Sequence, residues 1–444
     1  MSPVLQHYMA APLRLRWYTV ATAVLLVLVA PAAAAQPVAL LPAELSMLVA
    51  AAIDTHPSIK RARANRRAAL QDIDAARRAK WPTVSATTEA NVGGADTTSQ
   101  VAAIRIEQTL WDQGGQEARI AAVMTGADIS ALQLDLEQQD LAMQTINAWQ
   151  ALLGGQRRYN AANATVNVIA GFKAQMARRV DAQASPAIDL ELVDARLLQT
   201  QVERLSAENN VQLALQNLSR LTGITDLSAR PWAAPSQVAA PLTRAGEAAF
   251  EAAISRADWD TVVQSHPLVT KARLEYSQVG EQLRAKQADR WPQAYARIDQ
   301  PLANNPLTGS NQATLLVGLR YTPGAGFSTQ LEAQALATRL EAQSFEIDKA
   351  ARTVDQLIYD DKQTFSVSVA HAAAQSLSLA GSQRVLASYE RQFQAGRKTW
   401  QDLLNAAREV AQNAFSLSDT QSTIQGAMYR LQVRLGVLST MTEH

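Results

Sequence analysis

The chain has 444 residues, of which 48% are hydrophobic and 18% charged, and its formal net charge is +1. This ordinary balance predicts a folded protein and provides no basic excess for neutralising phosphates, so we expect no nucleic-acid partner. Cysteine is absent, which excludes disulfides, thiolate metal sites, a cysteine nucleophile and a lipid attached to cysteine.

The N-terminal residues have the pattern of a secretory signal. Arg14 and Arg16 precede an apolar run from Trp17 to Ala30, and small residues follow at 32–35. A charged segment, a short apolar segment and a small-residue site are the parts of a cleaved signal peptide. We therefore expect residues 1–35 to be removed, with an uncleaved membrane anchor as the alternative. Beyond residue 35 the sequence contains no apolar stretch of about 18 residues, so it predicts no transmembrane helix.

Two segments of the chain each have a second, similar copy further along the sequence. Residues 56–82 and 266–292 both begin with His-Pro and end in a basic residue followed by Trp-Pro, at a constant offset of 210 positions. Residues 178–196 and 391–409 also match, at an offset of 213. Repeats in the same order predict two tandem structural units, which we place at residues 36–245 and 246–444.

Each unit shows the same order of predicted elements. An Ala- and Arg-rich helix is ended by Pro82 or Pro292, because proline cannot continue a helix. A β-hairpin follows at about 82–110 or 292–322, with turn-forming residues between its strands. A long helix of about 65 residues, on the order of 100 Å, leads to a tip turn at about 181–188 or 395–401. A shorter return helix completes the unit, and Leu190, Val193, Leu197, Leu198, Val202 and Leu205 in the first one have coiled-coil periodicity.

The predicted strands alternate between apolar and charged residues. Ala102, Ile104 and Ile106 share one face of their strand, whereas Arg105 and Glu107 share the other. This alternation is typical of a barrel wall between lipid and water, although a soluble half-buried sheet shows it too. Four strands are too few to close a barrel, so several chains would have to combine. The charged residues that we expect to face the barrel lumen are Arg105, Glu107, Arg297, Asp299 and Arg320.

Three motifs carry a resemblance to a known family. They are LWDQGGQEARI from Leu110, RRVDAQASPAIDLELVDARLLQTQ from Arg178 and AGRKTWQDLLNAARE from Ala395. Together with the signal and the duplication, they resemble the TolC-like outer-membrane factors over essentially the whole mature chain. The resemblance implies a mixed fold, with a membrane β-barrel of twelve strands and a long α-helical coiled-coil barrel, built as a homotrimer. It places the barrel in outer-membrane lipid and the helical tunnel in the periplasm.

The resemblance also implies partners and a function. A periplasmic adaptor and an inner-membrane transporter would join the channel in a tripartite export system. The absent lipid-acceptor cysteine and the RRVDAQASPAIDL stretch are more similar to factors of type I protein secretion, in which the channel is a passive exit duct for an ABC transporter. A drug or metal efflux pump is the alternative, and a soluble periplasmic coiled-coil scaffold is a distant one.

We find no catalytic motif, phosphate loop or paired-histidine metal motif, and so expect no enzyme and no cofactor. The candidate functional residues lie instead at the two tip turns, where charges could link helices or form rings that filter ions. These gate and adaptor-docking candidates are Arg178, Arg179, Asp181, Ser185, Asp189, Arg391, Gly396, Arg397, Lys398, Asp402 and Asn405.

The resemblance assigns specific roles to some tip residues. Asp402 falls on the first of two acidic gate positions three residues apart, but the second position is Asn405, which would weaken an acidic ring. Lys398 falls where some relatives have a basic residue that links the closed tip. The alternative is that these are solvated charges at helix ends, with Asp189 and Asp402 acting as helix caps or dipole partners.

Overall fold

The computed structural model describes residues 41–90, 100–237, 242–302 and 312–436. The predicted signal peptide and most of both predicted hairpin loops lie outside these ranges. Within them, the helices are α1 (Ala43–Thr55), α2 (Pro57–Arg78), α3 (Gly115–Asp181), α4 (Ala187–Thr222), α5 (Arg244–Arg256), α6 (Trp259–Ser265), α7 (Pro267–Ala288), α8 (Ser328–Gln394) and α9 (Trp400–Arg434). The strands are β1 (Thr83–Ala90), β2 (Gln100–Trp111), β3 (Gln293–Pro301) and β4 (Thr314–Arg320).

The described strands form one antiparallel sheet in the order β1-β2-β3-β4. β1, β3 and β4 lie within the segments predicted as hairpins, and β2 extends one residue beyond the predicted segment, to Trp111. The register pairs Val84 with Ile106, Ile106 with Ile298 and Ile298 with Leu315. Side chains at paired positions lie on the same face of a sheet, so this line of apolar residues crosses all four strands. In the described sheet β1 and β4 are the edges.

The His-Pro motifs begin helices α2 and α7. His56 Nδ1 accepts a hydrogen bond from the Ser58 N–H at 3.3 Å, and His266 Nδ1 accepts one from the Leu268 N–H at 3.2 Å. Proline suits the first helical position, because its missing N–H would have no helical partner there. Both histidines therefore lie at helix boundaries, as their position before proline predicts.

The ends of α2 and α7 differ from the prediction. We expected Pro82 and Pro292 to end these helices, but α2 already ends at Arg78 and α7 at Ala288. The tryptophan before each proline donates its backbone N–H to a carbonyl three residues back, which is the tighter turn common at helix ends. The residue before proline is sterically biased away from the helical conformation, so the turn must be complete before the proline.

Two helices dominate the molecule. Helices α3 and α8 each contain 67 residues, which corresponds to about 100 Å. Near the sheet the helices contact one another in the order α2, α3, α7, α8, and further away α3 packs with α4 and α9, and α8 with α9. The strands and the tip turns therefore lie at opposite ends of the same long helices.

The largest apolar core lies about halfway along α3 and α8 and includes residues from both halves of the chain. It includes Trp149, Leu215, Phe250, Phe365 and Ile424, all buried. Helices α1, α5 and α6 surround this region together with short 3-10 segments at Leu227–Ala229 and Pro231–Ala233. Our sequence analysis did not predict these elements, because they are short and lie outside the repeated motifs.

The predicted coiled-coil stripe of α4 divides between two faces. Val193 is fully buried, and Leu190 and Leu197 pack against the apolar cluster near the tips. By contrast, Leu198, Val202 and Leu205 are 62%, 64% and 56% exposed in the single chain. The stripe was predicted as one packing seam, but helix periodicity alone cannot separate contacts within a chain from contacts between chains.

Candidate functional site

The five predicted lumen residues lie together on one face of the sheet, which we call the charged face. Arg105 is paired with Asp299 in the register, and its Nε donates to Asp299 Oδ1 at 2.8 Å. Arg297 forms an ion pair with Asp299, with 2.9 Å between Arg297 Nε and Asp299 Oδ2. Arg320 donates two hydrogen bonds to Glu107, at 2.7 and 2.9 Å. The charges are thus connected across β2, β3 and β4.

The side chain of Arg320 reaches from β4 across β3 to Glu107 on β2. Its guanidinium lies 4.5 Å from the centre of the Tyr295 ring. That ring lies over Gly318, where a Cβ atom would be 3.0 Å from the Tyr295 hydroxyl. Glycine at this position therefore leaves room for an aromatic ring on which the arginine stacks.

The opposite face of the sheet is apolar and exposed. Leu315, Val317 and Leu319 on β4 are 68%, 71% and 73% exposed, and Val84 on β1 is 67% exposed. Ile106 and Ile298 are also exposed, whereas four of the five charged-face residues are only partly exposed. A water-soluble sheet normally buries its apolar face, so this arrangement is inverted with respect to that of a soluble domain.

Aromatic residues mark the point where each strand meets a helix. Trp81 precedes β1, Trp111 ends β2, Trp291 precedes β3 and Tyr321 follows β4. Their exposed fractions are 71%, 52%, 60% and 51%. Exposed tryptophan and tyrosine rings at one level of a structure are typical of the boundary between hydrocarbon and water.

The two tip turns, residues 182–186 and 395–399, share one backbone geometry. Gln183 and Gly396 both adopt the left-handed conformation, with φ of 57° and 71°. The next residue donates its N–H five positions back, from Ala184 to the Arg179 carbonyl at 2.8 Å and from Arg397 to the Gln392 carbonyl at 2.9 Å. This is the Schellman arrangement, which satisfies carbonyls at a helix end and reverses the chain.

The second tip turn holds Asp402 in a capping box. The Asp402 carboxylate accepts from the Thr399 N–H at 3.0 Å and from its hydroxyl at 2.8 Å, and the Thr399 hydroxyl accepts from the Asp402 N–H. These hydrogen bonds from Thr399, and then the charge of Lys398, hold the pKa of Asp402 below its ordinary value. The cap that we weighed as an alternative role is therefore present, and it leaves the carboxylate charged at neutral pH.

The first tip turn lacks an equivalent cap. Pro186 occupies the position that corresponds to Thr399, and its side chain caps nothing. Arg179 instead donates to the Ser185 hydroxyl at 3.2 Å and lies 5.0 Å from the ring centre of Phe393 on α8. Arg179 thus connects the turn between α3 and α4 to helix α8.

An aromatic cluster supports the tips and was missed by the sequence analysis. Trp400 is buried against Phe393, with ring centres 4.3 Å apart, and near Phe172 at 6.1 Å. Lys398 lies 4.3 Å from the ring centre of Tyr389. Trp400 follows Lys398-Thr399 in the AGRKTWQDLL motif, so its position there was the available signal.

The remaining tip candidates do not form one site. Most have exposed side chains: Arg178, Asp181, Arg391, Arg397 and Asn405. Asp189 is partly exposed in the first turn of α4. In the single chain the structure therefore brings together Arg179 with Ser185, and Lys398 with Asp402, whose charged atoms are 3.9 Å apart.

Two further searches covered the described part of the chain. No group of three or more histidine, aspartate or glutamate side chains there could hold a metal ion. None of the described helices is both long and apolar enough to cross a bilayer.

Comparison with known proteins agrees with this geometry. A family model described as outer membrane efflux protein matches residues 48–224, from within α1 to just beyond α4. No curated protein sequence matches significantly. The family model thus covers the first hairpin and first tip turn and supports a relationship to outer membrane efflux proteins.

Several solved structures share the fold over nearly the full length. A membrane protein from Pseudomonas aeruginosa aligns with a TM-score of 0.76 at 17% identity, covering 89% of this chain and 94% of that chain. The outer membrane protein VceC of Vibrio cholerae aligns at 0.74 and 14%, covering 89% and 96%. The CmeC outer membrane channel of Campylobacter jejuni aligns at 0.72 and 11%, covering 90% and 89%. The chain therefore has the fold of these membrane proteins.

Proposed function

We propose that the chain is one protomer of a homotrimeric outer-membrane channel, an exit duct of a tripartite export system. Its β-sheet would form one third of a twelve-stranded barrel in outer-membrane lipid. Its long helices would continue the barrel as a tunnel in the periplasm. An adaptor protein would bind near the tips, and an inner-membrane transporter would supply the energy.

The inverted sheet is the observation that carries this proposal. An apolar line from Val84 to Leu315 is exposed on one face, while the charged face is interconnected by salt bridges. Charged side chains are costly in hydrocarbon and tolerated in a water-filled lumen, whereas apolar side chains have the opposite preference. The aromatic residues at the strand ends support the same orientation.

The open edges of the sheet support assembly from several copies. In the described sheet, the outer edges of β1 and β4 present backbone N–H and C=O groups without partners in the chain. Such groups are costly in lipid, so a membrane sheet must close on itself. Pairing β1 of one copy with β4 of the next continues the antiparallel order, and three copies give the twelve strands that the family resemblance implies.

The cargo class has two candidates. Type I protein secretion is supported by the resemblance of RRVDAQASPAIDL and by the absence of a lipid-acceptor cysteine. Efflux of small molecules is supported by the family model over residues 48–224. We propose type I secretion as the first candidate, and deletion of the gene distinguishes the two. Loss of an exported protein from the medium supports secretion, whereas increased sensitivity to drugs or metal ions with normal secretion contradicts it.

The channel itself is tested by membrane fractionation followed by planar-bilayer recording. We expect the mature protein in the outer-membrane fraction, three copies per particle by native mass spectrometry, and discrete conductance steps. A folded monomer that stays soluble in detergent-free buffer would contradict the proposal.

The role of Asp402 at the tip requires a variant that separates charge from capping. Asp402→Asn removes the charge but keeps an oxygen for the Thr399 N–H, whereas Asp402→Ala removes both. If the charge filters ions, both variants change cation selectivity in bilayer recordings. If only Asp402→Ala has an effect, the residue is a helix cap and not part of the filter.

A further inference from the structure

The two lateral edges of the chain carry opposite charge. One edge consists of α2 continuing into β1, and the other of β4 continuing into α8. Helix α2 contains seven exposed cations and two aspartates. Residues 328–360 of α8 contain six exposed carboxylates against three exposed cations. This separation matters because the whole chain has a net charge of only +1.

Two basic residues of α2 form ion pairs within the chain, Arg61 with Glu137 and Arg63 with Asp54, but three others do not. Lys60 and Arg67 are one heptad apart on the helix surface directed away from α3, since Ile59 and Ala62 are the buried positions of α2. No described carboxylate lies within ion-pair distance of Lys60, Arg67 or Arg78, and all three side chains are exposed. Like charges along one helix repel one another, so an opposing negative surface would stabilise this part of α2.

Glu341 and Asp348 of α8 are the matching acids. They are also one heptad apart, both are exposed, and no described cation lies within ion-pair distance of either. Glu332, nearer to the sheet, pairs with Lys286 of α7 within the chain. The spacing of the two acids is therefore the same as the spacing of Lys60 and Arg67.

The internal repeat supplies the register between the two edges. Within the chain, α3 of the first unit packs on α7 of the second, and Arg119 pairs with Asp289. In the repeat, Glu332 of α8 corresponds to Arg119, at an offset of 213, and residue 79 corresponds to Asp289, at an offset of 210. If α8 of one copy packs on α2 of another as α3 packs on α7, Glu332 lies opposite residue 79, next to Arg78. The same antiparallel register places Glu341 and Asp348 one helical turn either side of Arg67.

We infer that the basic surface of α2 binds the acidic surface of α8 from a second copy of this chain, alongside the pairing of β1 with β4. The inference rests on the proposed oligomeric channel and adds which surfaces meet and why they select each other. The interface is head-to-tail, so each copy uses both edges and the assembly closes as a ring. Opposite charge on the two edges also disfavours pairing of two like edges.

A reciprocal charge exchange tests the inference. The α2 variant is Lys60→Glu with Arg67→Glu, and the α8 variant is Glu341→Lys with Asp348→Lys. Each alone places like charges across every interface, so we expect association in detergent to weaken about tenfold or more. The combined four-substitution variant restores opposite charges and should recover most of the wild-type association.

The matched control reverses the same number of charges outside the two charged surfaces, on α5, which packs against α8 at Phe365 and not at residues 328–360. Arg244→Glu with Arg256→Glu on α5 changes two exposed arginines and should leave association within about twofold, since exposed charges distant from an interface contribute little. Circular dichroism and thermal unfolding of each variant confirm that the chain is folded. Native mass spectrometry and crosslinking give the oligomer fraction.

The outcomes separate this inference from the proposed function. A wild-type chain that does not oligomerise contradicts the proposed channel. An oligomeric wild type whose α2 variant associates normally overturns the inference alone. Weakened association that the α8 substitutions fail to rescue also overturns it, because α2 would then bind a different surface.

Discussion

Gly155 of α3 lies at a close approach to α4. A Cβ atom there would be 2.9 Å from Val211 Cγ2 and 3.2 Å from the Val211 backbone nitrogen. Val211 is fully buried, so it cannot move without disturbing the core around it. The absence of a side chain at Gly155 therefore sets the distance between the helices of the first hairpin.

We predict that Gly155→Ala destabilises the protein by about 1–3 kcal/mol, the usual cost of overpacking. Gly171→Ala on the same helix is the control, because nothing lies within 4 Å of the added atom. There alanine should stabilise by about 0.5–1 kcal/mol, since it favours the helix. Thermal unfolding measures both, and a stabilised Gly155→Ala would show that the hairpin is looser than described.

His266 combines a structural role with a shifted pKa. Burial, and secondarily the charge of Arg434, lower the pKa of His266 from 6.5 to about 4. The neutral ring accepts the hydrogen bond that caps α7. Because its folded pKa lies below the unfolded one, the unfolded state binds more protons between these values. The contribution of His266 is therefore present above pH 6.5 and is lost as the pH falls toward 4.

We predict that His266→Asn removes part of this acid sensitivity. Asparagine retains a cap acceptor but does not titrate. The wild type should lose stability between pH 6.5 and 4 with a slope from this residue of at most about 1.4 kcal/mol per pH unit, and the variant should lose less. His56→Asn at the equivalent position is the control. Identical pH dependence of wild type and His266→Asn would exclude a titrating role for this histidine.

At the scale of elements, the two tip turns share one backbone geometry but have different residues at equivalent positions. The left-handed position is glycine in the second turn and Gln183 in the first. Glycine adopts this conformation without steric cost, whereas other residues are strained in it. Replacing Gly396 by another residue and replacing Gln183 by glycine should therefore have opposite effects on stability.

We predict that Gly396→Ala destabilises the second tip by about 1–2 kcal/mol. Nothing lies within 4 Å of the added Cβ, so any loss comes from the backbone and not from a clash. Gln183→Gly should be neutral or stabilising, because it relieves the same strain. Thermal unfolding of the two variants provides the measurement, and equal effects in both would mean that the turns are not equivalent.

Local patterns predicted the elements that depend on local chemistry. Alternation in the strands was sufficient to identify the charged face, because side chains in a strand alternate whatever the tertiary structure. The AGRKTW motif likewise indicated the second tip turn. The position of the helix ends before Trp81 and Trp291 was missed by a few residues, since the last turn tightens before proline.

Long-range contacts could not be predicted from one sequence. Arg157 is buried and donates to Ser422 at 3.0 Å and Gln425 at 2.7 Å, and burial lowers its pKa to about 10. Asp361 accepts hydrogen bonds from both Arg430 and Arg434. These partners are about 70 to more than 260 residues apart in sequence, so no spacing motif announces them. They join α3 and α8 to α9, and so connect the helix pair α3–α4 to the helix pair α8–α9.

At the scale of the whole molecule, the two units predicted from the sequence repeat do not have separate hydrophobic cores. The two units have matching long helices, but the largest apolar core contains Leu45 and Trp149 from the first and Phe250, Phe365 and Ile424 from the second. Arg157 of the first unit likewise donates hydrogen bonds to Ser422 and Gln425 of α9 in the second. A single unit would expose these apolar and polar groups.

We predict that residues 36–237 and 242–444, expressed separately, do not fold, and that co-expression restores a folded complex. Each fragment lacks part of the core, and buried aromatic side chains such as Phe250 and Phe365 contribute about 1.5–3 kcal/mol each when covered. Circular dichroism, cooperative unfolding and protease resistance distinguish the states, with the intact chain as control. A first fragment that unfolds cooperatively by itself would contradict this prediction and show that one unit is sufficient to fold.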